Sequence, residues 1–225
     1  DDVTPNVWEE ADGTGQSAGI VKPNGVAAGA NIEFSNLEAA PDGLDIKFAI
    51  SADADSGSTV GDKASGGSSG AQESGWDLTL SATEDLHGVA GLSVYGGISQ
   101  VEQQQNASTH NGDNEETVMG ITYAAGNFSF GYAQTDNDTG LTAASSYENT
   151  MYSVTFNVND DLSIGYNHAE SDKAADSDDA EAESFQVAYT MGGASIRLAR
   201  AQTDNVNYVA DVNQDATVIS LGLAF

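Results

Sequence analysis

The chain has 225 residues and carries 35 Asp and Glu against 6 Lys and Arg, a formal net charge of −29. With so few bases it cannot neutralise many phosphates, which argues against binding to nucleic acid. The absence of cysteine excludes a disulfide framework and thiolate metal sites. No apolar run approaches the roughly 20 residues of a membrane-spanning helix, but the strands of a barrel alternate and need no such run.

The N-terminal segment, residues 1–30, is rich in Gly and acids, and its apolar residues do not alternate over any length. It also lacks the basic and apolar regions of a signal peptide, so the signal of an exported protein would have been removed or would lie outside this chain.

From residue 31 onwards, apolar residues recur at every second position, which is the period of a β-strand with one apolar face. The positions between them hold mostly Ser, Thr, Gly, Ala, Asn and Gln. The pattern predicts about eleven strands: Asn31–Asn36, Leu44–Ala52, Trp76–Thr83, Gly91–Val101, Glu116–Tyr123, Asn127–Thr135, Thr150–Val158, Leu162–Glu170, Glu183–Met191, Ala194–Ala201 and Ala216–Phe225.

The connections between these strands alternate in length. Three short ones, "AAGN" (124–127), "NDD" (159–161) and "GG" (192–193), have the composition of tight hairpins. Between them lie long polar connections at 136–149, 171–182 and 204–215, and residues 53–75 are almost wholly Gly, Ser and acid. Short turns at one end of the strands and long loops at the other are typical of a transmembrane β-barrel.

A soluble antiparallel β-sandwich would also alternate. It would make the protein a secreted or surface-displayed acidic adhesin or a cation-dependent binding module. Its outward faces should then carry Lys, Glu and Thr, whereas the polar faces here hold few charges and the acids lie mainly in the loops. Aromatic residues also lie near the ends of the apolar stripes, as in the interfacial girdle of a barrel. The barrel is therefore the favoured prediction.

The last predicted strand, "ATVISLGLAF", places Ile219, Leu221, Leu223 and Phe225 at alternate positions. A terminal Phe after such an alternation resembles the signal that the barrel-assembly machinery recognises in outer-membrane proteins. With the alternating loop lengths, the chain from about Ala28 to Phe225 resembles the Gram-negative general porins, particularly the alphaproteobacterial type.

This resemblance implies an all-β, antiparallel transmembrane β-barrel in the outer membrane of a Gram-negative cell. The protein would be a homotrimer in contact with lipid and lipopolysaccharide. It would form a water-filled channel for passive diffusion of small hydrophilic solutes and ions. A porin for one anion or sugar would need a denser basic or aromatic track than this sequence offers.

General porins have sixteen strands. Counting back from the C-terminus, residues 31–225 would supply the last eleven or so strands, with their periplasmic turns and extracellular loops. Residues 1–30 would then correspond to the third loop, which folds into the barrel of such porins and forms the constriction. Alternatively, residues 1–30 contain one more strand of a complete twelve-stranded barrel, which their lack of alternation disfavours.

Strand parity assigns several charged side chains to the lumen. With the apolar residues facing lipid, Glu33, Asp45, Lys47, Asp77 and Arg197 face the channel. Charges that line a pore contribute to its selectivity.

The resemblance also implies a constriction at which acids of the loop face bases of the wall. The acids would be Glu9, Glu10 and Asp12, and the visible part of the basic wall would be Lys47 and Arg197. The alternative is that both bases are solvated lumen side chains or are paired with a neighbouring Asp. The negative lumen and mouth predict a mild preference for cations.

Arg200 has outward parity near the external end of its strand. It would either meet lipopolysaccharide phosphates at the interface, where an Arg costs roughly 0–1 kcal/mol, or be turned inward by a strand bulge.

No dedicated metal site, cofactor or catalytic site is expected. The acidic stretch 172–183 lacks the Gly and the Asp spacing of an EF-hand, so only weak Ca²⁺ or Mg²⁺ binding at acidic loops is predicted. The three histidines, His87, His110 and His168, have no metal-site spacing, and there is no Gly-x-Ser-x-Gly elbow. The sequence therefore predicts that the protein is not an enzyme.

Overall fold

The computed structural model describes residues 4–14, 18–26, 31–35, 40–52, 72–103, 112–141 and 146–223. Its eleven strands form one antiparallel sheet in which each strand pairs with its neighbours in the chain. No pairing between the described residues joins β1 to β11. The strands are β1 Asn31–Ser35, β2 Leu44–Ser51, β3 Gln72–Ala82, β4 Leu92–Gln103, β5 Asn114–Ala125, β6 Phe128–Asp138, β7 Ser146–Asn159, β8 Leu162–Lys173, β9 Ala180–Met191, β10 Ala194–Asp204 and β11 Gln214–Leu223.

All eleven predicted strands are confirmed, and the all-β antiparallel fold with them. The differences lie mostly at the ends next to the long connections. For example, β8 continues to Lys173, and β9 already begins at Ala180. Backbone pairing continues there although both faces are polar, so alternation gives no signal for these residues. A β-sandwich needs two packed sheets, and the described strands form one, so the structure does not favour that alternative.

The short connections are tight turns, as predicted. Gly126 and Gly192 have positive φ angles of 60° and 58°, which glycine adopts without steric cost. The connection between β3 and β4 contains a one-turn helix, α1 (Glu84–His87), which Gly88 ends in the left-handed conformation. None of the helices in the described part of the chain is long and apolar enough to cross a membrane.

The two faces of the sheet differ in chemistry. We call the face that carries Phe48, Phe130, Phe185 and Ile219 the apolar face, and the opposite one the polar face. Large apolar side chains on the apolar face remain uncovered, and Ile219 is 69% exposed. Most fully buried side chains on the polar face are small or polar, including Ala133, Ser153, Gln186 and Ala201, and Val101 and Met151 are larger apolar exceptions. In a sheet with an apolar core, the large apolar side chains would be buried and the polar ones exposed, and here the opposite holds.

The N-terminal segment covers part of the polar face. Its described residues, 4–14 and 18–26, are called the head segment below. Ala11, Ala18 and Ile20 of the head segment form a buried cluster with residues of the sheet such as Ala133 and Met151. The described head segment contains a single 3-10 turn and no strand, so it does not supply the extra strand of the twelve-stranded alternative.

Candidate functional site

The head segment lies so close to the polar face that glycine is required beneath it. A Cβ atom on Gly165 would lie 2.7 Å from Cγ2 of Val7, and one on Gly131 would lie 3.0 Å from Cβ of Thr4. The first distance is too short for a real carbon contact, and the second is tighter than most real ones. These strand glycines therefore make room for the head segment.

We call residues 4–14 the first arm of the head segment and residues 18–26 the second arm. Gln186 of β9 binds the first arm. Its Nε2 donates to the backbone carbonyl of Glu9 at 2.5 Å, and its Oε1 accepts from the backbone N–H of Glu9 at 3.3 Å. Gln186 is fully buried. A single side chain thus satisfies both backbone groups of one head residue.

The connection between β10 and β11 also contacts the head segment. Asn207 donates its backbone N–H to the carbonyl of Ala18 at 2.8 Å, and the hydroxyls of Tyr208 and Ser171 share a hydrogen bond of 2.8 Å. Burial raises the pKa of Tyr208 to about 12. The sequence predicted a long polar loop at 204–215, but Val206 and Tyr208 are buried.

A charged cluster is buried within the head segment itself. Nζ of Lys22 lies 2.8 Å from Oδ1 of Asp12 and 3.5 Å from Oε2 of Glu10. All three side chains are less than a tenth exposed. The backbone N–H of Thr4 also donates to Glu10, at 3.2 Å. Two of the predicted constriction acids thus contact a base of the head segment.

Two carboxylates of the sheet hold the second arm of the head segment. Oε2 of Glu116 accepts the backbone N–H groups of Asn24, at 2.9 Å, and Gly25, at 2.7 Å. Asp77 accepts the N–H of Val26 at 3.1 and 3.0 Å. Asp77 therefore lies on the polar face, where strand parity placed it.

The other charged residues predicted to line the lumen lie away from the head segment contacts. Glu33 is exposed and pairs in register with Ala49 on the polar face. Asp45 and Lys47 approach each other to 4.0 Å, with side chains 38% and 48% exposed. Arg197 is exposed and forms no ion pair with a described residue. Lys47 and Arg197 lie on β2 and β10 and do not contact each other.

The predicted assembly signal is described in part. Ile219, Leu221 and Leu223 lie on the apolar face and are 69%, 61% and 55% exposed. Phe225 lies outside the described residues. Recognition of this strand by the assembly machinery stays a prediction.

Arg200 lies on the apolar face and is exposed. It pairs in register with Phe185 of β9 and Thr217 of β11, and neither of these pairings contains a register shift. The alternative of a bulge that turns Arg200 inward is therefore wrong.

Four residues at these contacts were not predicted from the sequence. Lys22 pairs with Glu10 and Asp12 within the head segment, and three residues of the sheet bind this segment: Glu116, Gln186 and Asn149, whose Nδ2 donates to the carbonyl of Val21 at 2.8 Å. The signal that could have identified Lys22 is its position as a base within an acidic segment. The other three carried no signal, because a polar residue that contacts the head segment looks the same in the sequence as one facing water. No group of three or more His, Asp or Glu among the described residues is placed to hold a metal ion.

No protein-family model and no curated protein matches this chain. Among solved structures, it is similar to an anion-selective porin from Comamonas acidovorans, with 14% identity and a TM-score of 0.65 over 88% of this chain and 60% of that one. A porin refined at 1.8 Å resolution gives a TM-score of 0.58 at 14% identity, over 87% of this chain and 60% of that one.

The outer-membrane expressed OmpT of Vibrio cholerae gives a TM-score of 0.50 at 13% identity, over 86% of this chain and 63% of that one. The fold is therefore that of the antiparallel sheet of outer-membrane porins, and the chain spans about three fifths of the length of these proteins.

Proposed function

We propose that this protein forms a water-filled channel in the outer membrane of a Gram-negative cell, through which small hydrophilic solutes and ions diffuse passively. The observation that carries the proposal is the arrangement of the two faces. Large apolar side chains lie uncovered along the apolar face, whereas the buried side chains and the head segment lie on the polar face. Hydrocarbon would cover the first face, and water would fill the space next to the second.

A sheet in lipid cannot leave its edge strands unpaired, because no water satisfies their N–H and C=O groups. The edges of this sheet are β1 and β11. We therefore propose that the chain supplies about eleven strands of a larger closed barrel, of sixteen strands if it follows the general porins. The likeness to the alphaproteobacterial type of porin stays a prediction.

We further propose that residues 1–30 form the constriction. The described head segment crosses the polar face of several strands and would narrow a lumen on that side. Glu10 and Asp12 are buried beside Lys22 and are partly compensated by it. Selectivity should then depend more on the exposed charges Lys47 and Arg197.

The proposed ion preference is for cations, and it is mild. A net charge of −29 attracts cations to the channel mouth. The Comamonas porin is described as anion-selective, so the two proteins would differ in selectivity although they share the fold. Weak Ca²⁺ or Mg²⁺ binding at the acidic loops, a homotrimer, contacts with lipopolysaccharide and assembly by the barrel-assembly machinery belong to the same proposal.

Planar-bilayer recording on the full-length protein tests this function. Discrete conductance steps should appear, and polymers above a size limit should fail to block them. Replacing Lys47 and Arg197 by Glu should increase the permeability ratio of cations to anions. Glu33→Gln is the control, because it removes a negative charge and should lower this ratio. A protein that stays monomeric in water without detergent and gives no conductance would refute the proposal.

A further inference from the structure

The proposed channel requires the head segment to keep one position, and two acids of the sheet contact its second arm. We propose that Asp77 and Glu116 are positioning residues that clamp residues 24–26 to the wall and thereby fix the channel aperture. They act as hydrogen-bond acceptors for backbone N–H groups rather than as charges exposed to passing ions. This inference rests on the proposed function for its effect on the aperture, but the clamp itself can be tested separately.

The carboxylate of Glu116 accepts four hydrogen bonds from groups in the described part of the chain. Besides the two backbone N–H groups bound by Oε2, Oε1 accepts Nδ2 of Asn114 at 3.1 Å and of Asn137 at 3.0 Å. Glu116 is 3% exposed. A buried carboxylate with four donors is held firmly and leaves no lone pair for a solute.

Asp77 completes the clamp beside Glu116. Both of its oxygens lie within 3.1 Å of the N–H of Val26. Gly25 permits this approach, because its φ is +64° and a Cβ there would lie 2.6 Å from Oδ2 of Asp77. The Val26 side chain is 1% exposed and packs over Gly75 in a cluster with Val101.

The strand register explains why two acids can serve one short segment. Asp77 pairs with Ser99, and Ser99 pairs with Glu116, so the acids lie two strand spacings apart in one row. Two spacings amount to roughly 10 Å. Three consecutive head residues present their N–H groups to this row, an arrangement that favours bound anions. Here the bound anions are the carboxylates of Asp77 and Glu116 on the sheet.

The first arm and residues 24–26 are therefore held by different chemistry. The first arm contacts the uncharged side chain of Gln186, and residues 24–26 contact two carboxylates. Loss of the carboxylates should release residues 24–26 while the contact of Gln186 with Glu9 persists. The aperture would then widen and fluctuate.

A neutral replacement separates hydrogen bonding from charge. In Glu116→Gln, the side-chain oxygen can still accept the N–H groups of Asn24 and Gly25. Oδ1 of Asn114 and of Asn137 have no hydrogen-bond partner, so rotation of these amides would present an acceptor to the new NH₂ group. Glu116→Gln thus removes the charge and keeps the clamp, whereas Glu116→Ala removes both.

The experiment compares Glu116→Gln, Glu116→Ala and Asp77→Ala with the unaltered full-length protein. Glu33→Ala is the matched control, because Glu33 is an exposed acid in the same cross-strand row. Amide hydrogen exchange of residues 24–26 is measured in detergent, and conductance, polymer size limit and ion selectivity are measured in planar bilayers. The first measurement does not depend on channel activity.

We expect exchange of residues 24–26 to accelerate about 10-fold to 100-fold in Glu116→Ala and Asp77→Ala, because buried hydrogen bonds are lost. Conductance and the polymer size limit should increase in both. Exchange of residues 24–26 in Glu116→Gln and Glu33→Ala should match that of the unaltered protein.

Unchanged exchange in both alanine variants would overturn the clamp. So would a Glu116→Gln variant that changes ion selectivity as much as Glu116→Ala does while residues 24–26 stay protected, because that result assigns Glu116 a role as a pore charge. If the unaltered protein does not conduct but the alanine variants lose protection, the clamp stands and the proposed channel function fails.

Discussion

Replacing Lys22 by Met should loosen the head segment from the sheet. The side chain of Lys22 is 8% exposed, and its ammonium contacts the carboxylates of Glu10 and Asp12, whose side chains are 4% and 3% exposed. Removing one partner of a buried ion pair leaves an uncompensated buried charge and typically costs about 3–5 kcal/mol. Two acids lose their shared base here. Since about 1.4 kcal/mol corresponds to a factor of ten, head docking should weaken by between roughly 150-fold and 4,000-fold.

Tryptophan fluorescence provides the assay. The protein contains 2 tryptophans, and Trp8 lies half-buried in the head segment. In a Trp76→Phe background, the emission of Trp8 should shift to longer wavelength and become more accessible to acrylamide when Lys22 is replaced. Lys47→Met is the matched control: Lys47 is 48% exposed and lies 4.0 Å from Asp45. Such an exposed pair contributes roughly 0–1 kcal/mol, so Trp8 should not respond.

A compensated variant distinguishes charge from packing. When Lys22→Met is combined with Glu10→Gln and Asp12→Asn, no unpaired charge remains and most of the docking should return. Equal effects of Lys22→Met and Lys47→Met on Trp8 would refute a role for the buried ion pair in docking. A compensated variant that is docked no better than Lys22→Met alone would refute it as well, because the loss would then come from packing and not from an unpaired charge.

Two further predictions concern the faces of the sheet and the connection between β10 and β11. On β11, Ile219→Lys should destabilise the membrane-inserted protein by about 2–4 kcal/mol if the residue lies near the bilayer midplane, whereas Ser220→Lys on the polar face should have little effect. Urea titration in liposomes measures both, and equal destabilisation would contradict the assignment of the faces. Burial raises the pKa of Tyr208 from 10.0 to about 12. Because the folded-state pKa is the higher one, the stability contribution of this tyrosine is complete below about pH 10 and is lost as the pH rises towards 12. The tyrosinate absorbance of the protein minus that of Tyr208→Phe follows this ionisation, and a midpoint near 10 would show that the side chain is not buried.

The amino-acid sequence by itself determined the strands and their faces. Alternation with period two is a local property, since successive side chains of a strand point to opposite sides. It located all eleven strands and placed Asp77 and Arg197 on the polar face and Ile219 on the apolar face. Turn composition located the hairpins for the same reason, because a glycine such as Gly192 supplies the positive φ locally.

Only the tertiary structure decided which polar residues bind the head segment. Gln186 lies 177 positions from Glu9 in the chain, and Glu116 lies 91 positions from Gly25. No local pattern records such contacts, and a carboxylate on the polar face looks the same whether water or a backbone N–H is its partner. Parity placed Asp77 on the correct face as a lumen charge, but its contact with Val26 depends on a segment about 50 residues away that folds back onto the sheet. The strands can be predicted because alternation of side chains is a local property. The contacts of the head segment cannot, because they depend on residues far apart in the chain.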